Sequence, residues 1–251
     1  MHCFYCEDRN VSGGKIRIEG SDVNHMKNVL RMKEGETLTV CDRSGMEYFC
    51  EVAEYLNGEA ILNILKKGQA QTELPVRLVL YQGLPKKDKM ELIIQKAVEL
   101  GAAEIVPVMT KRCIVKLEDD KKETKKIERW QAIAESAAKQ SKRSIIPEVR
   151  DIVSYKNALK MAEELDVVLV PYENKDGMKA TKEALAGIKS GMSVGIFIGP
   201  EGGFDEKEIE TAVEMGGKTI SLGKRILRTE TAAITAVGMC MLYAETELGE
   251  E

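Results

Sequence analysis

Two segments near the C-terminus constrain the fold most, because each runs from an apolar stretch through a glycine-containing loop into a helical pattern. Residues 196–204 read Ile-Phe-Ile-Gly-Pro-Glu-Gly-Gly-Phe, and residues 222–232 read Leu-Gly-Lys-Arg-Ile-Leu-Arg-Thr-Glu-Thr-Ala. Glycine allows tight turns and a close approach of the backbone to a ligand. Ligands of open parallel sheets bind beyond the carboxyl ends of the strands. The two loops therefore predict a site in which the main chain holds a flat, nucleotide-like cofactor.

Neither loop matches the common phosphate-binding motifs. The spacing of glycines is not that of the dinucleotide fingerprint G-x-G-x-x-G, nor that of the P-loop G-x-x-x-x-G-K-[ST]. A dinucleotide site or a nucleoside triphosphate site is therefore disfavoured.

The pattern of apolar residues changes after a polar stretch at residues 66–73, which we interpret as a linker between two domains. Residues 1–72 show closely spaced short strands, a hairpin signal at Asn57-Gly58 and one short helix with Asp22 as its expected N-cap. This pattern predicts a small β-barrel. Residues 73–251 alternate between strand and helix patterns, which predicts a mostly parallel α/β sheet.

The expected elements of the second domain follow from apolar runs and helical spacing. Trp130 lies at a core spacing in its helix, and Asp205 with Glu208 forms a capping-box pattern at the start of another. The predicted strands are 76–81, 104–109, 166–170, 193–198 and 218–222, and the predicted helices are 88–100, 121–140, 154–165, 177–188, 205–216 and 231–246.

Composition excludes several classes of protein. Charged residues make up 31% of the chain, and no apolar run approaches the ~18 residues that a membrane-spanning helix needs. We expect a cytoplasmic protein without a signal peptide. The six cysteines are scattered, which favours reduced thiols over a disulfide framework, and Cys3-x-x-Cys6 lacks a second half, so no metal site is predicted.

Charge is distributed unevenly along the chain. Residues 111–150 carry twelve basic and seven acidic side chains, whereas residues 201–251 carry five basic and eleven acidic ones. A basic face can bind phosphates, but lysines also solvate the outer side of a helix. Charge alone favours the solvated helix.

The two loop motifs together resemble the signature of the ribosomal RNA small subunit methyltransferase E family, the uracil-N3 methyltransferases of the SPOUT superfamily. Residues 25–31, 87–101 and 137–147 agree with the same family, so the resemblance covers nearly the whole chain. The extreme N-terminus departs from it, because His2 and Cys3 stand where the family has an arginine before its aromatic residues.

The resemblance implies the fold, the cofactor and the partners. It implies an N-terminal PUA-like RNA-binding β-barrel at 1–72 and, at 73–251, a SPOUT-type knotted parallel-sheet methyltransferase domain with a C-terminal trefoil knot. It further implies that S-adenosyl-L-methionine binds in the knot, that the enzyme is a homodimer, and that its substrate is a uridine of 16S rRNA in the small ribosomal subunit. The final helix, with Met239, Met241, Leu242 and Tyr243, is the expected dimer surface.

The resemblance and the loop positions together suggest the site residues. The cofactor-binding candidates are Val170, Pro171, Ile198, Gly199, Pro200, Gly203, Leu222, Gly223, Ile226 and Leu227. The candidates for contact with RNA are Arg31, Lys86, Lys87, Lys89, Arg112, Lys139 and Arg143.

Three residues are candidates for the chemistry of methyl transfer. Uracil N3 carries a proton at neutral pH, so Arg228 is expected to stabilise negative charge on the base, while Glu230, with Glu201 behind it, is expected to accept the proton. Structural alternatives stay open: Arg228 suits a phosphate or a dimer ion pair, Glu230 suits the first turn of a helix, and Thr229 suits an N-cap. Two other functions also stay open, a related methyltransferase acting on tRNA and an assembly factor that binds RNA without catalysis.

Overall fold

The computed structural model describes residues 3–42, 45–69, 71–114, 120–172 and 177–249. It divides into two compact units, Met1–Glu73 with Ala138–Ile146, and Leu74–Ala137 with Pro147–Glu251. The return of 138–146 to the first unit was not predicted. The side chain of Glu73 holds this segment, because it pairs with Arg143 and accepts hydrogen bonds from the backbone and hydroxyl of Ser144, both at 2.9 Å.

The first unit is a six-stranded mixed sheet with the order β1-β4-β5-β6-β3-β2, in which β1 and β4 are parallel and the other neighbours antiparallel. Alternate side chains of these strands face one apolar core that includes Ile16, Leu38, Val52 and Leu62. The strands are β1 Cys3–Tyr5, β2 Val11–Ser12, β3 Lys15–Ile18, β4 Thr37–Cys41, β5 Met46–Leu56 and β6 Glu59–Gln69. A 3-10 turn spans Asp8–Asn10, and helix α1 spans Ser21–Asn24 and is continued by a π-helical turn at His25–Val29.

Two local predictions for this unit were wrong. Asp22 does not cap α1, because Gly20 holds the N-cap position and the Asp22 carboxylate instead lies 3.1 Å from Lys139 Nζ. Residues 66–69 are not linker, because β6 continues through them, paired with Met46–Phe49 of β5. Their side chains are exposed, which hides the strand from a search for apolar periodicity. The predicted hairpin is confirmed, with positive φ at both Asn57 and Gly58.

The second unit is a parallel sheet with the order β10-β8-β7-β12-β11-β13, and β9 pairs with β8. Its strands are β7 Arg77–Gly83, β8 Ala102–Met109, β9 Glu148–Val149, β10 Val153–Ser154, β11 Val167–Pro171, β12 Ser193–Ile198 and β13 Lys218–Ile220. Its helices are α2 Lys89–Glu99, α3 Asp120–Ser141, α4 Tyr155–Ala162, α5 Gly177–Ala186, α6 Glu206–Glu214 and α7 Thr229–Tyr243, and the last turn of α3 belongs to the first unit.

Helices cover both faces of this sheet, as an all-parallel sheet requires. On one face Tyr81 and Phe197 stack at 4.3 Å between ring centroids and join the core formed with α4 and α6. The alternate residues Leu78 and Leu80 are equally buried, while α2 and α7 pack together and α7 contacts β7 and β12. The predicted parallel α/β class of the second unit and the strand-rich first unit are confirmed.

The structure confirms two local predictions for the second unit, but it shifts the ends of two elements and adds two short strands. The capping box at Asp205 is present, and Trp130 is buried as predicted. Helix α7 begins at Thr229, two residues earlier than expected, and β13 ends at Ile220, two residues earlier. Strands β9 and β10 were missed, because two residues carry no periodic signal. In the described part of the chain, no helix is long and apolar enough to cross a membrane.

Candidate functional site

Loops at the carboxyl ends of β7, β12 and β13 form the candidate site. β7 and β12 are neighbours, and their ends meet so closely that a Cβ on Gly83 would lie 2.7 Å from Pro200 Cδ and 3.1 Å from the Gly199 carbonyl carbon. The strands are parallel, so all three loops emerge at one edge of the sheet.

The first loop, residues 199–204, is a tight turn closed by a hydrogen bond from Gly203 N to Pro200 O at 2.9 Å. A Cβ on Gly199 would lie 3.0 Å from the backbone of Gly203, so the two strands of the turn approach as closely as glycine allows. Phe204 anchors the end of the turn in the core, tilted against Tyr155 with ring centroids 5.6 Å apart.

The second loop, residues 221–228, is fixed at its start and open at its tip. Ser221 exchanges backbone hydrogen bonds with the hydroxyl of Thr181 on α5, accepting at 2.8 Å and donating at 2.9 Å. Gly223 follows with φ of +109°, a conformation that favours glycine. Beyond it Ile226 is 93% exposed, and Leu222 and Leu227 are half-buried. An apolar side chain this exposed next to a glycine turn is available to pack against a ligand.

The two carboxylates proposed for catalysis, those of Glu201 and Glu230, form ion pairs with one ammonium group, that of Lys89. Lys89 Nζ lies 3.1 Å from Glu201 Oε1 and 3.2 Å from Glu230 Oε2, and the backbone N–H of Lys86 also donates to Glu201 at 3.1 Å. Burial works to raise the pKa of Glu201, but backbone hydrogen bonds and Lys89 outweigh it and the pKa is lowered. The hydrogen bond to Glu201 raises the pKa of Lys89 in turn. Lys89, a candidate for contact with RNA, is therefore held inside the site.

Arg228 is a basic residue of the second loop that lies outside this cluster. It occupies the N-cap position of α7 without a side-chain capping bond, its side chain is exposed, and no other described residue forms an ion pair with it. Thr229 is not the N-cap that was proposed for it. Its hydroxyl instead donates to Gly199 O at 2.6 Å and accepts from the Gln82 amide at 3.0 Å.

Gln82 and Gly83 belong to the site, and the sequence interpretation did not include them. The available signal was a polar residue and a glycine at the end of an otherwise apolar strand. That signal is weak alone, because such residues also occur where strands simply end.

The other candidates fall into three groups. Lys86, Lys87 and Arg112 are exposed, and Arg112 donates to Gly202 O of the first loop at 3.0 Å. Val170 is buried in the core, which leaves only its backbone for a ligand, and Pro171 ends β11 with residues 173–176 outside the described ranges.

Arg31, Lys139 and Arg143 belong to the first unit. Arg31 is exposed and has a positive φ of 54°. The side chain of Arg143 is 4% exposed and pairs with Glu73, so it stabilises the first unit and is not accessible to a phosphate.

Within the described residues, no three histidine, cysteine or acidic side chains are grouped so as to hold a metal ion.

Comparison with known proteins places the chain among RNA methyltransferases. Residues 72–241 match the RNA methyltransferase domain family, and residues 18–64 match the RNA methyltransferase PUA domain family. The chain is 39% identical to ribosomal RNA small subunit methyltransferase E of Bacillus subtilis over 93% of its own length and 92% of that protein. It is 31% identical to the protein of the same name from Aquifex aeolicus, over 97% and 100% of the two chains.

Solved structures agree with the sequence relatives. The crystal structure of ribosomal RNA small subunit methyltransferase E from Neisseria gonorrhoeae, bound to S-adenosyl methionine, superimposes with a TM-score of 0.80 at 32% identity, covering 96% of this chain and 97% of that one. A methyltransferase from Legionella pneumophila in complex with the same cofactor gives a TM-score of 0.78 at 32% identity, with 96% of each chain covered.

Proposed function

The chain belongs to the ribosomal RNA small subunit methyltransferase E family, and from this premise we propose that it transfers a methyl group from S-adenosylmethionine to N3 of a uridine in 16S rRNA. The observation that carries the proposal is the pair of glycine turns at one edge of the parallel sheet, with Arg228 and Glu230 immediately after the second turn.

The residues of the two turns fit this cofactor. Gly199 and Gly203 leave bare backbone, and Ile226 with Leu222 and Leu227 supplies an apolar surface for a purine ring. Main-chain N–H and C=O groups are the polar partners of the adenosine edge. We assign cofactor binding to Val170, Pro171, Ile198, Gly199, Pro200, Gly203, Leu222, Gly223, Ile226 and Leu227.

When bound, S-adenosylmethionine supplies an electrophilic methyl carbon on a sulfonium, and the protein must align the base and favour loss of the N3 proton. The exposed guanidinium of Arg228 contacts O2 or O4 of the uracil and stabilises the charge that develops there. Glu230 accepts the proton from N3. Backbone hydrogen bonds and the ammonium of Lys89 lower the pKa of Glu201 against the effect of its burial, which makes Glu201 the weaker base.

RNA binds across basic groups beside the first turn. Lys86, Lys87 and Arg112 are exposed there and contact phosphates, and Arg31, exposed in the first unit, is a separate candidate for contact with RNA. The chain works in the cytoplasm as a homodimer with a trefoil knot around the cofactor turns. The final helix supports the dimer, because Leu242 on it is 58% exposed.

Nucleoside mass spectrometry tests the proposal. 16S rRNA from a strain lacking this gene is expected to lose 3-methyluridine, and a plasmid copy of the gene is expected to restore it, whereas an Arg228→Met copy is not. The tRNA of the same strains is the matched control. Persistence of 3-methyluridine in 16S rRNA, or its loss from tRNA instead, would contradict the substrate.

A further inference from the structure

A glutamine is buried at the end of β7, beside the first glycine turn. Gln82 is 0% exposed and lies opposite Ile198 in the sheet, one residue before Gly199. Burying an amide costs free energy unless it is hydrogen-bonded. Leu78, Val79 and Leu80 of the same strand are apolar, so the strand itself gives no reason for a polar side chain here.

The hydrogen bonds of Gln82 have a defined direction. Its Nε2 donates to Gly83 O at 2.9 Å and to Thr229 Oγ1 at 3.0 Å. The hydroxyl proton of Thr229 is therefore free to donate, and it does so to Gly199 O at 2.6 Å. The chain of bonds connects β7, the first turn and the first residue of α7.

The second polar atom of the amide has no partner. Gln82 Oε1 is buried without a hydrogen-bond donor among the described residues. An unpaired buried acceptor lowers stability. A glutamine kept at this cost indicates a role other than packing.

We propose that Gln82 and Thr229 are positioning residues that hold the first cofactor turn in register with the residues that contact uracil. The carbonyl of Gly199 sets the plane of the Gly199–Pro200 peptide, and its hydrogen bond to Thr229 fixes that plane against α7. Arg228 and Glu230 flank Thr229 in sequence, so the same bond relates the cofactor turn to both. Proline donates no N–H at this point in the turn, so the carbonyl is the hydrogen-bonding group of this peptide.

This inference rests on the proposed function, because it assigns the first turn to S-adenosylmethionine. It predicts that removing the bonds impairs cofactor binding and methyl transfer while the fold is kept. A purely structural role predicts lower thermal stability with unchanged cofactor affinity in the folded protein.

The test uses five variants of the full-length protein, one of which is the double variant Thr229→Val with Gln82→Met. Thr229→Val removes the hydroxyl at equal volume, Thr229→Ser restores it, and Gln82→Met removes the amide while keeping the shape. Thr39→Val, a buried threonine of β4 in the first unit, is the matched control. Calorimetry with S-adenosylmethionine measures the Kd, circular dichroism measures the Tm, and transfer of labelled methyl to 16S rRNA measures kcat and KM.

Thr229→Val and Gln82→Met are each expected to weaken cofactor binding by about tenfold, which corresponds to losing one hydrogen bond. Thr229→Ser, which keeps the hydroxyl, and Thr39→Val, which lies away from the bonds, are each expected to bind the cofactor within about twofold of the parent protein. The double variant is expected to be no worse than either single variant, because both remove one connected path.

The outcomes separate the two proposals. If the parent protein binds no S-adenosylmethionine, the proposed function fails and the positioning role fails with it. If the parent and Thr229→Val bind equally well, only the positioning role is overturned. Should Thr229→Val not fold, equal binding by Gln82→Met and the parent overturns it in the same way.

Discussion

Replacing Gly83 by alanine tests the close approach between β7 and the first turn. The added Cβ would lie 2.7 Å from Pro200 Cδ, 2.8 Å from Pro200 N and 3.1 Å from the Gly199 carbonyl carbon. Carbon atoms pack best at about 3.5–4.0 Å, so β7 and the turn must separate by roughly 1 Å. The atoms that must move belong to backbone and a proline ring, which cannot rotate away as a flexible side chain can.

The size of the effect follows from the cost of overpacking, about 1–3 kcal/mol. If the turn moves to relieve the contact, the free protein avoids most of this cost and its Tm changes little. The cost then appears when the turn must return to bind the cofactor. Since about 1.4 kcal/mol corresponds to tenfold in Kd, the affinity for S-adenosylmethionine is expected to fall by about 5- to 150-fold.

Isothermal titration calorimetry with S-adenosylmethionine measures this change. Gly68→Ala is the matched control, because that glycine lies in β6, has no atom within 4 Å of an added Cβ and has no positive φ. It is expected to bind as the parent does. Unchanged affinity in a folded Gly83→Ala protein would refute the reasoning, since it would mean that the turn does not hold the cofactor or that the contact is relieved elsewhere.

Three further predictions follow from the two units. Ile226→Ser is expected to leave the Tm unchanged, because the side chain is exposed. It is expected to weaken S-adenosylmethionine binding by about tenfold or more in calorimetry, because an apolar contact is lost. A folded Ile226→Ser protein with the affinity of the parent would contradict this prediction. Arg228→Lys is expected to lower kcat for 16S rRNA about 100-fold with cofactor Kd unchanged, and a lysine that supports full kcat would exclude a role for the planar guanidinium. Arg143→Met is expected to lower the free energy of unfolding by about 3–5 kcal/mol at pH 7 in urea titrations, because Glu73 is left without its cation. Burial works to raise the pKa of Glu73, but Arg143 and Ser144 outweigh it and lower the pKa. The stability from this pair is therefore present above the unfolded pKa of about 4.3 and is lost as pH falls through the folded pKa. The difference in free energy of unfolding between the parent and Arg143→Met should narrow at pH 3, and a constant difference would contradict the assignment.

Much of the fold was predictable because its signals are local. The apolar runs of β7 and β12, the capping box at Asp205 and the Asn57-Gly58 hairpin each depend on residues adjacent in sequence. The errors fall where local pattern is weak or overridden. The polar end of β6 reads as a linker because its strand character comes from pairing with β5, and Asp22 reads as a cap although its partner, Lys139, is more than a hundred residues away.

The sequence by itself determined the family, the two glycine turns and the alternation that makes a parallel sheet, because these depend on residue type and short spacing. Only the tertiary structure decided which side chains meet. It placed Arg143 inside the barrel unit against Glu73, joined Glu201 and Glu230 through Lys89, and brought Gln82 to Thr229 across 147 positions of the chain. Such pairings depend on how strands order themselves in the sheet, and strand order is set by packing of the whole unit rather than by any one segment.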